Sequence, residues 1–107
     1  MTERRGKYNA RRTEVYGITF ASGKEAHRYQ ELMLMQKAGV ITNLERQVKY
    51  SIDINGVHVC SYFADFQYTN VADGEVVTED AKGFQTQVYR IKKKLVRALY
   101  GVDIKEV

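Results

Sequence analysis

The chain has 107 residues, of which 17 are basic and 13 acidic, and this gives a net charge of +4 at pH 7. Its hydrophobic fraction of 44% suits a folded core and argues against a disordered chain, and its length allows one domain. The single cysteine excludes an internal disulfide, and the lack of a long apolar run or signal-peptide pattern predicts a cytoplasmic protein with no membrane partner.

The basic residues are concentrated in two segments. Residues 1–12 carry a net charge of +4 and residues 90–97 a net charge of +5, so the rest of the chain has a net charge of −5. We expect residues 1–12 to form a flexible basic arm and residues 13–107 to form a single domain. Clustered Lys and Arg are typical of phosphate-binding proteins, although a solubilising arm and a solvated helix face have the same composition. The candidate phosphate contacts in these segments are Arg4, Arg5, Lys7, Arg11, Arg12, Arg90, Lys92, Lys93, Lys94 and Arg97.

The first predicted elements are a short hairpin and a helix. Residues 13–20 contain β-prone pieces around Gly17, which indicates a small turn or edge hairpin. Ser22 and Glu25 form a capping box and Gly39 is placed to stop a helix, so we expect a helix over residues 23–38. Glu25 begins a stripe on this helix that continues through Tyr29, Leu32 and Gln36.

Three strands are expected to follow as a meander. Residues 47–54 alternate in polarity and end at Asn55-Gly56, a strong signal for a two-residue hairpin turn. Residues 57–68 are then the antiparallel partner. Asp73-Gly74 predicts a second tight turn, before a third strand over residues 75–82.

A second helix and a last strand complete the predicted fold. The helical period returns at about Gln85 and ends at Gly101, and residues 102–107 alternate as a strand that we expect to pair in parallel with the third. The order α-β-β-β-α-β predicts an α/β or α+β fold, with a mixed sheet flanked by two helices. On the second helix an apolar row lies opposite the basic residues, and this row comprises Val88, Ile91, Leu95 and Leu99.

The predicted hairpin brings charged side chains together. With a two-residue turn at Asp73-Gly74, Asp65 stands opposite Lys82 and diagonal to Asp80, and a register shifted by two residues keeps them adjacent. Glu25 would add a third carboxylate if the first helix packs over that face. Like charges that are partly buried require a cation, and oxygen-only ligands suit Mg²⁺ or Mn²⁺.

Each part of this cluster also has a structural interpretation. An acid-x-Lys triplet is expected about once by chance in a chain of this composition, and Asp103-Ile104-Lys105 is a second instance. Glu25 is also explained as the capping-box partner of Ser22. The hypothesis of a site therefore depends on the conjunction of Asp65 with Asp80 and Lys82 across one hairpin.

These residues and the element order resemble the PD-(D/E)XK nuclease superfamily over roughly residues 17–107. The chain is also similar to a small phage-associated family of uncharacterised, endonuclease-related proteins. The superfamily's proline is replaced here by Ala64. The segments that carry the resemblance are Gly17-Ile18-Thr19-Phe20, Ser22 to Glu25, Ala64-Asp65-Phe66, Glu79-Asp80-Ala81-Lys82-Gly83 and Thr86 to Lys94.

The resemblance implies a minimal restriction-endonuclease-like core and a metal-dependent endodeoxyribonuclease that hydrolyses DNA phosphodiester bonds. Its metal ligands would be Glu25, Asp65, Asp80 and the Ala81 carbonyl, and Lys82 would be the catalytic lysine. Strand alternation turns Glu79 away from Asp80 and excludes it from the catalytic set. The start of the basic helix next to the site adds two further candidate DNA contacts, Thr86 and Tyr89.

Small superfamily members include archaeal Holliday-junction resolvases. By analogy we expect a homodimer that acts on branched DNA in phage recombination, replication or packaging, in the host-cell cytoplasm if a phage encodes it. Two other classes of function stay open. One is a non-catalytic nucleic-acid-binding module, and the other is an adaptor in a phage DNA-processing complex.

Overall fold

The computed structural model describes residues 12–82 and 85–107. Four of the predicted arm contacts, Arg4, Arg5, Lys7 and Arg11, lie outside the described residues, whereas Arg12 is exposed. The fold is α+β, with a small antiparallel sheet, a mixed four-stranded sheet and two helices. The elements are β1 (Thr13–Val15), β2 (Ile18–Phe20), α1 (Gly23–Lys37), β3 (Ile41–Ile54), β4 (Val57–Asn70), β5 (Val76–Asp80), α2 (Gln87–Tyr100) and β6 (Ile104–Glu106).

The N-terminal hairpin and α1 form where the sequence predicts them. β1 pairs antiparallel with β2, and the turn between them contains Gly17 at a φ of 76°. The Ser22 hydroxyl accepts a hydrogen bond of 3.2 Å from the Glu25 N–H and so caps α1. The carboxylate of Glu25 accepts a hydrogen bond from Gln47 of β3 and so reaches the site described below.

The central sheet has the strand order β3-β4-β5-β6. β3, β4 and β5 form the predicted antiparallel meander, and β6 pairs in parallel with β5. Asn55 and Gly56 have φ angles of 52° and 78°, as the predicted two-residue turn requires. β3 and β4 are longer than predicted, because β3 starts at Ile41 and β4 continues to Asn70.

The inward face of the long hairpin changes partway along β3 and β4. Tyr62 and Ala64 pack in a core cluster with residues of α2, whereas Phe66 and Tyr68 pack in a second cluster with residues of α1. The two clusters lie on opposite sides of the sheet, because the Tyr62 and Tyr68 hydroxyls bond to Asp80 and Glu79, which are neighbours on β5. Alternate residues of a regular strand share one face, so a local irregularity lies between Ala64 and Phe66. Asp65 occupies this position.

The same change of face occurs on β3. Arg46 pairs with Phe66 and Val48 with Ala64, but the intervening Gln47 has a φ of 51°, in the left-handed region that non-glycine residues rarely adopt. Arg46 lies over the Phe20 ring in the α1 cluster, whereas Val48 packs against the α2 cluster. Gln47 and Asp65 therefore mark the point at which the hairpin passes from one core to the other.

The buried face of α2 differs from the predicted apolar row. Tyr89 and Val96 are the buried residues of the helix, whereas Val88, Ile91 and Leu99 are 61%, 52% and 44% exposed. The hydroxyl of Tyr89 bonds to Glu106 of β6, so the side that faces the sheet lies between the apolar and basic rows. The helix thus has a buried side, an open apolar side and a basic side.

Within residues 12–82 and 85–107, neither helix is long and apolar enough to cross a membrane.

Candidate functional site

Asp80 lies at the centre of a buried polar site at the end of β5. Its side chain is fully buried, and the Tyr62 hydroxyl donates a hydrogen bond to Oδ2. The other oxygen, Oδ1, is buried and has no hydrogen-bond partner among the described residues. The Lys82 ammonium forms an ion pair with this oxygen, with Nζ 3.6 Å from Oδ1. Burial raises the pKa of Asp80 to about 6, and Lys82 opposes this shift.

Asp65 adjoins Asp80 across the β4–β5 ladder, although the predicted register is wrong. Phe66 pairs with Glu79, so the ladder is shifted by two residues and its continuation sets Asp65 opposite Asp80 rather than Lys82. The Ala81 N–H donates a hydrogen bond of 2.9 Å to Asp65 Oδ2 and joins the two strands at this point.

The register shift has a local cause in the connecting loop. The Asp73 carboxylate accepts a hydrogen bond of 2.9 Å from the Glu75 N–H. Asn70 bonds to both sides of the loop, because its N–H donates to the Glu75 carbonyl and its carbonyl accepts from the Gly74 N–H, each at 2.8 Å. The connection is therefore wider than a two-residue turn, because the Asp73 side chain bonds within the loop.

Glu25 joins the site from α1 through Gln47. The Gln47 amide nitrogen donates to Glu25 Oε2 at 3.2 Å and to Asp65 Oδ1 at 3.3 Å, and so links two carboxylates. Both carboxylates are largely buried, at 5% and 8% exposure. Burial raises the pKa of Glu25, with a contribution from the Asp65 charge, and burial also raises the pKa of Asp65. Buried acids with raised pKa values are characteristic of functional sites.

Lys82 covers the site on the side of α2. Its side chain is 32% exposed, and Nζ lies 5.1 Å from the centre of the Tyr89 ring. The Tyr89 hydroxyl donates to Glu106 at 2.8 Å, and the same carboxylate oxygen lies 3.0 Å from Lys93 Nζ. Tyr89, a predicted DNA contact, is buried, and its ring lies beside the lysine that pairs with Asp80.

The donor set of this site suits a hard divalent cation. In the described parts of the chain, no three Asp, Glu, His or Cys side chains are grouped so as to hold a metal ion by themselves. Magnesium in proteins is usually bound by one or two carboxylates and keeps several waters, so two carboxylates such as Asp65 and Asp80 would suffice to hold it. Asp80 Oδ1 has no hydrogen bond and its ion-pair partner Lys82 stays 3.6 Å away, so this is the oxygen that a bound cation would contact. The Ala81 carbonyl and Glu25 are the further oxygen candidates.

Some of the remaining predicted DNA contacts are exposed, whereas others already bond to groups within the protein. Arg90, Lys94 and Arg97 are exposed on α2, and Arg97 also pairs with Asp103 at 3.2 Å. Lys92 donates a hydrogen bond of 2.9 Å to the Ser61 carbonyl, so its ammonium group is partly engaged. A cavity of about 290 Å³ separates the basic side of α2 from β6, and its lining includes Gln85, Arg90, Lys93, Lys94 and Arg97.

Thr86 has a structural role that the sequence did not assign to it. Its hydroxyl oxygen accepts a hydrogen bond of 3.1 Å from the Tyr89 N–H and caps α2. We expect Thr86→Ala to lower the free energy of unfolding by about 1 kcal/mol, because an N-terminal N–H of the helix loses its acceptor. Thr86→Ser is the matched control and should stay close to the wild type in urea unfolding. Equal stability of the alanine and serine variants would contradict the assignment of the cap.

Two residues of the site were not predicted from the sequence. Gln47 and Arg46 lie beside Glu25, with Arg46 Nη2 3.9 Å from Glu25 Oε2. Alternation along β3 would place these two neighbours on opposite faces, and no sequence motif marks the change of face at Gln47.

Comparison with known proteins identifies the family of this chain. The model of a family described as "Protein of unknown function (DUF1064)" matches residues 5–106. The chain belongs to the DUF1064 family. No curated protein and no solved structure matches it. The DUF1064 match includes every residue of the site described above, from Glu25 to Lys82 and Tyr89.

Proposed function

We propose that this DUF1064 protein is a divalent-metal-dependent endodeoxyribonuclease of the PD-(D/E)XK type. The observation that carries the proposal is the buried Asp80, whose Oδ1 has no hydrogen bond and lies 3.6 Å from the ammonium of Lys82, next to a second carboxylate, Asp65, across the ladder. An ammonium beside paired carboxylates suits phosphodiester hydrolysis, which needs both cation binding and stabilisation of negative charge.

The carboxylates and the lysine of the site have separate roles in the proposed reaction. Bound Mg²⁺ or Mn²⁺ would polarise the phosphate and lower the pKa of a water molecule. Asp65 and Asp80 would hold the ion, and the Tyr62 hydroxyl fixes one oxygen of Asp80 by donating a hydrogen bond to it. Lys82, whose Nζ is 3.6 Å from Asp80 Oδ1, orients the attacking water and stabilises charge on the phosphate.

The proposed substrate is branched DNA, and the proposed assembly is a symmetric dimer in the cytoplasm. Two sites related by a two-fold axis can cut opposed strands of a junction. Cleavage of four-way junction, flap, nicked and linear duplex DNA, each with Mg²⁺, Mn²⁺ or EDTA, tests the activity and the preference. We expect metal-dependent cleavage with the junction cut fastest. Equal cleavage of all four substrates would contradict the proposed preference for branched DNA. No cleavage with either metal would contradict the proposed nuclease activity.

A nucleic-acid-binding module without catalysis is the second candidate. The cavity lined by basic residues of α2 favours it, because this surface could hold phosphates without the acidic site. A module of this kind would bind DNA with strong salt dependence and would cut none of the four substrates. An adaptor would neither bind nor cut DNA.

The raised pKa of Asp80 predicts the pH dependence of cleavage. The carboxylate must be ionised to hold a cation, and with a pKa of about 6 only about a tenth is ionised at pH 5. We expect the rate to rise about tenfold per pH unit up to the midpoint and then to level off. Saturating metal competes with the proton, so the midpoint should move below 6 as the Mg²⁺ concentration increases. A rate that is constant from pH 5 to 8 at low Mg²⁺ would contradict this role for Asp80.

A further inference from the structure

Two arginines lie on the α1 side of the sheet, and their pairing differs. Arg28 is fully engaged, because its Nε and Nη2 donate to the two oxygens of Glu79 at 2.9 and 2.6 Å. Arg46 approaches a carboxylate only at 3.9 Å, from Nη2 to Glu25 Oε2. Its buried Nε has no hydrogen-bond partner among the described residues. Arg46 is therefore a cation with spare donors beside an acidic site.

Aromatic rings fix the position of the Arg46 guanidinium. Its central carbon lies 4.5 Å from the centre of the Phe20 ring and 5.9 Å from that of Tyr29. The two rings are themselves in contact, with centroids 5.2 Å apart. A guanidinium held over aromatic rings keeps its planar fork of N–H donors free at the edge. The side chain is 27% exposed although its Nε is buried, so part of the side chain can be reached from solvent.

Neutralisation of Glu25 does not fully explain Arg46. The amide of Gln47 donates a hydrogen bond to Glu25 Oε2 at 3.2 Å, whereas Arg46 Nη2, at 3.9 Å from the same oxygen, lies outside hydrogen-bonding distance. The positive charge of Arg46 opposes the raised pKa of both Glu25 and Asp65, so it lies near both acids, and its Nη2 is 3.9 Å from Glu25 Oε2. An anionic group beside these acids would meet a guanidinium with free donors.

We propose that Arg46 is a substrate-binding residue that holds a DNA phosphate at the acidic site. Its N–H donors would bind the non-bridging oxygens of a phosphodiester placed beside Glu25 and Asp65. Arginine suits this role better than lysine, because its fork can bind two phosphate oxygens at once. This inference rests on the proposed nuclease function and assigns the residue that positions the substrate.

DNA binding measured without divalent metal tests this inference separately from catalysis. The probe is a labelled four-way junction in EDTA, and its fluorescence anisotropy is followed over a range of salt concentrations. We expect Arg46→Met to weaken binding about tenfold and to reduce the salt slope by about one, as expected for one lost phosphate contact. Lys37→Met removes one exposed charge from the last turn of α1 and is the matched control, expected to bind as the wild type does.

Arg46→Lys separates the role of the fork from that of the charge and guards against misfolding of the methionine variant. It keeps the aliphatic stem over Phe20, so we expect the salt slope to be preserved while cleavage falls at least about tenfold. The inference is overturned if the wild type cuts DNA and both Arg46 variants bind and cut as Lys37→Met does. A wild type that neither binds nor cuts DNA would overturn the proposed function and this inference together.

Discussion

Asp80→Ala is expected to abolish metal-dependent cleavage, with a loss of at least about a thousandfold, because the site loses the carboxylate on which cation binding depends. Binding of the uncut DNA in EDTA should be preserved or tighter, since a negative charge is removed near the phosphate. Single-turnover cleavage of a labelled junction, measured alongside anisotropy, separates the two effects.

A control variant shows whether the loss of any acidic side chain, rather than of Asp80 in particular, reduces cleavage. Asp53 is an exposed acid on β3 that bonds to Ser51 and His58 at the far end of the hairpin. Asp53→Ala should therefore cut DNA at the wild-type rate. Cleavage by Asp80→Ala within tenfold of the wild type would remove Asp80 from the catalytic set, whatever its effect on stability.

The second large effect concerns the ion pair that joins α1 to β5. Glu79 is fully buried, and it accepts two hydrogen bonds from Arg28 and one from the Tyr68 hydroxyl. The hydrogen bonds to Glu79 raise the pKa of Arg28, and burial raises the pKa of Tyr68 to about 12. Glu79→Gln should lower the free energy of unfolding by about 3 kcal/mol, because the partly buried Arg28 guanidinium loses its fully buried counter-charge.

Two comparisons show whether this loss comes from the pair itself. Glu31→Gln removes the exposed second partner of Arg28, 3.3 Å from its Nη1, and should cost less than about 0.5 kcal/mol. The double variant Arg28→Met, Glu79→Gln should cost clearly less than the two single changes added together. Additive losses in urea unfolding would mean that Arg28 and Glu79 do not stabilise each other.

Local signals in the sequence predicted much of the fold. The serine cap of α1, the Asn55-Gly56 turn and the alternation of residues 102–107 each depend on neighbours in the chain, and the corresponding elements are confirmed. The turn at Asp73-Gly74 failed for a local reason as well. The Asp-Gly pattern favours a two-residue turn, but it does not account for the hydrogen bond that the Asp73 carboxylate accepts from the Glu75 N–H.

The less predictable parts depend on contacts between distant elements. Periodicity identified the apolar and basic rows of α2 but not which side packs on the sheet, because Tyr89 is fixed by Glu106 of β6. Strand alternation correctly placed Glu79 on the face opposite Asp80. It could not identify Arg28 as the partner of Glu79, because Arg28 lies 51 residues away on α1. The change of face at Gln47 and Asp65 has no signal in the sequence, and so Arg46 could not be assigned to the site.

Calorimetric titration of Mn²⁺ into the DNA-free protein at pH 7.5 tests most directly whether the acidic site binds a divalent cation. We predict saturable binding by the wild type, strong weakening in Asp65→Asn and Asp80→Asn, and no change in the control Asp53→Asn. Wild-type affinity retained in both Asp65→Asn and Asp80→Asn would contradict the proposed metal site.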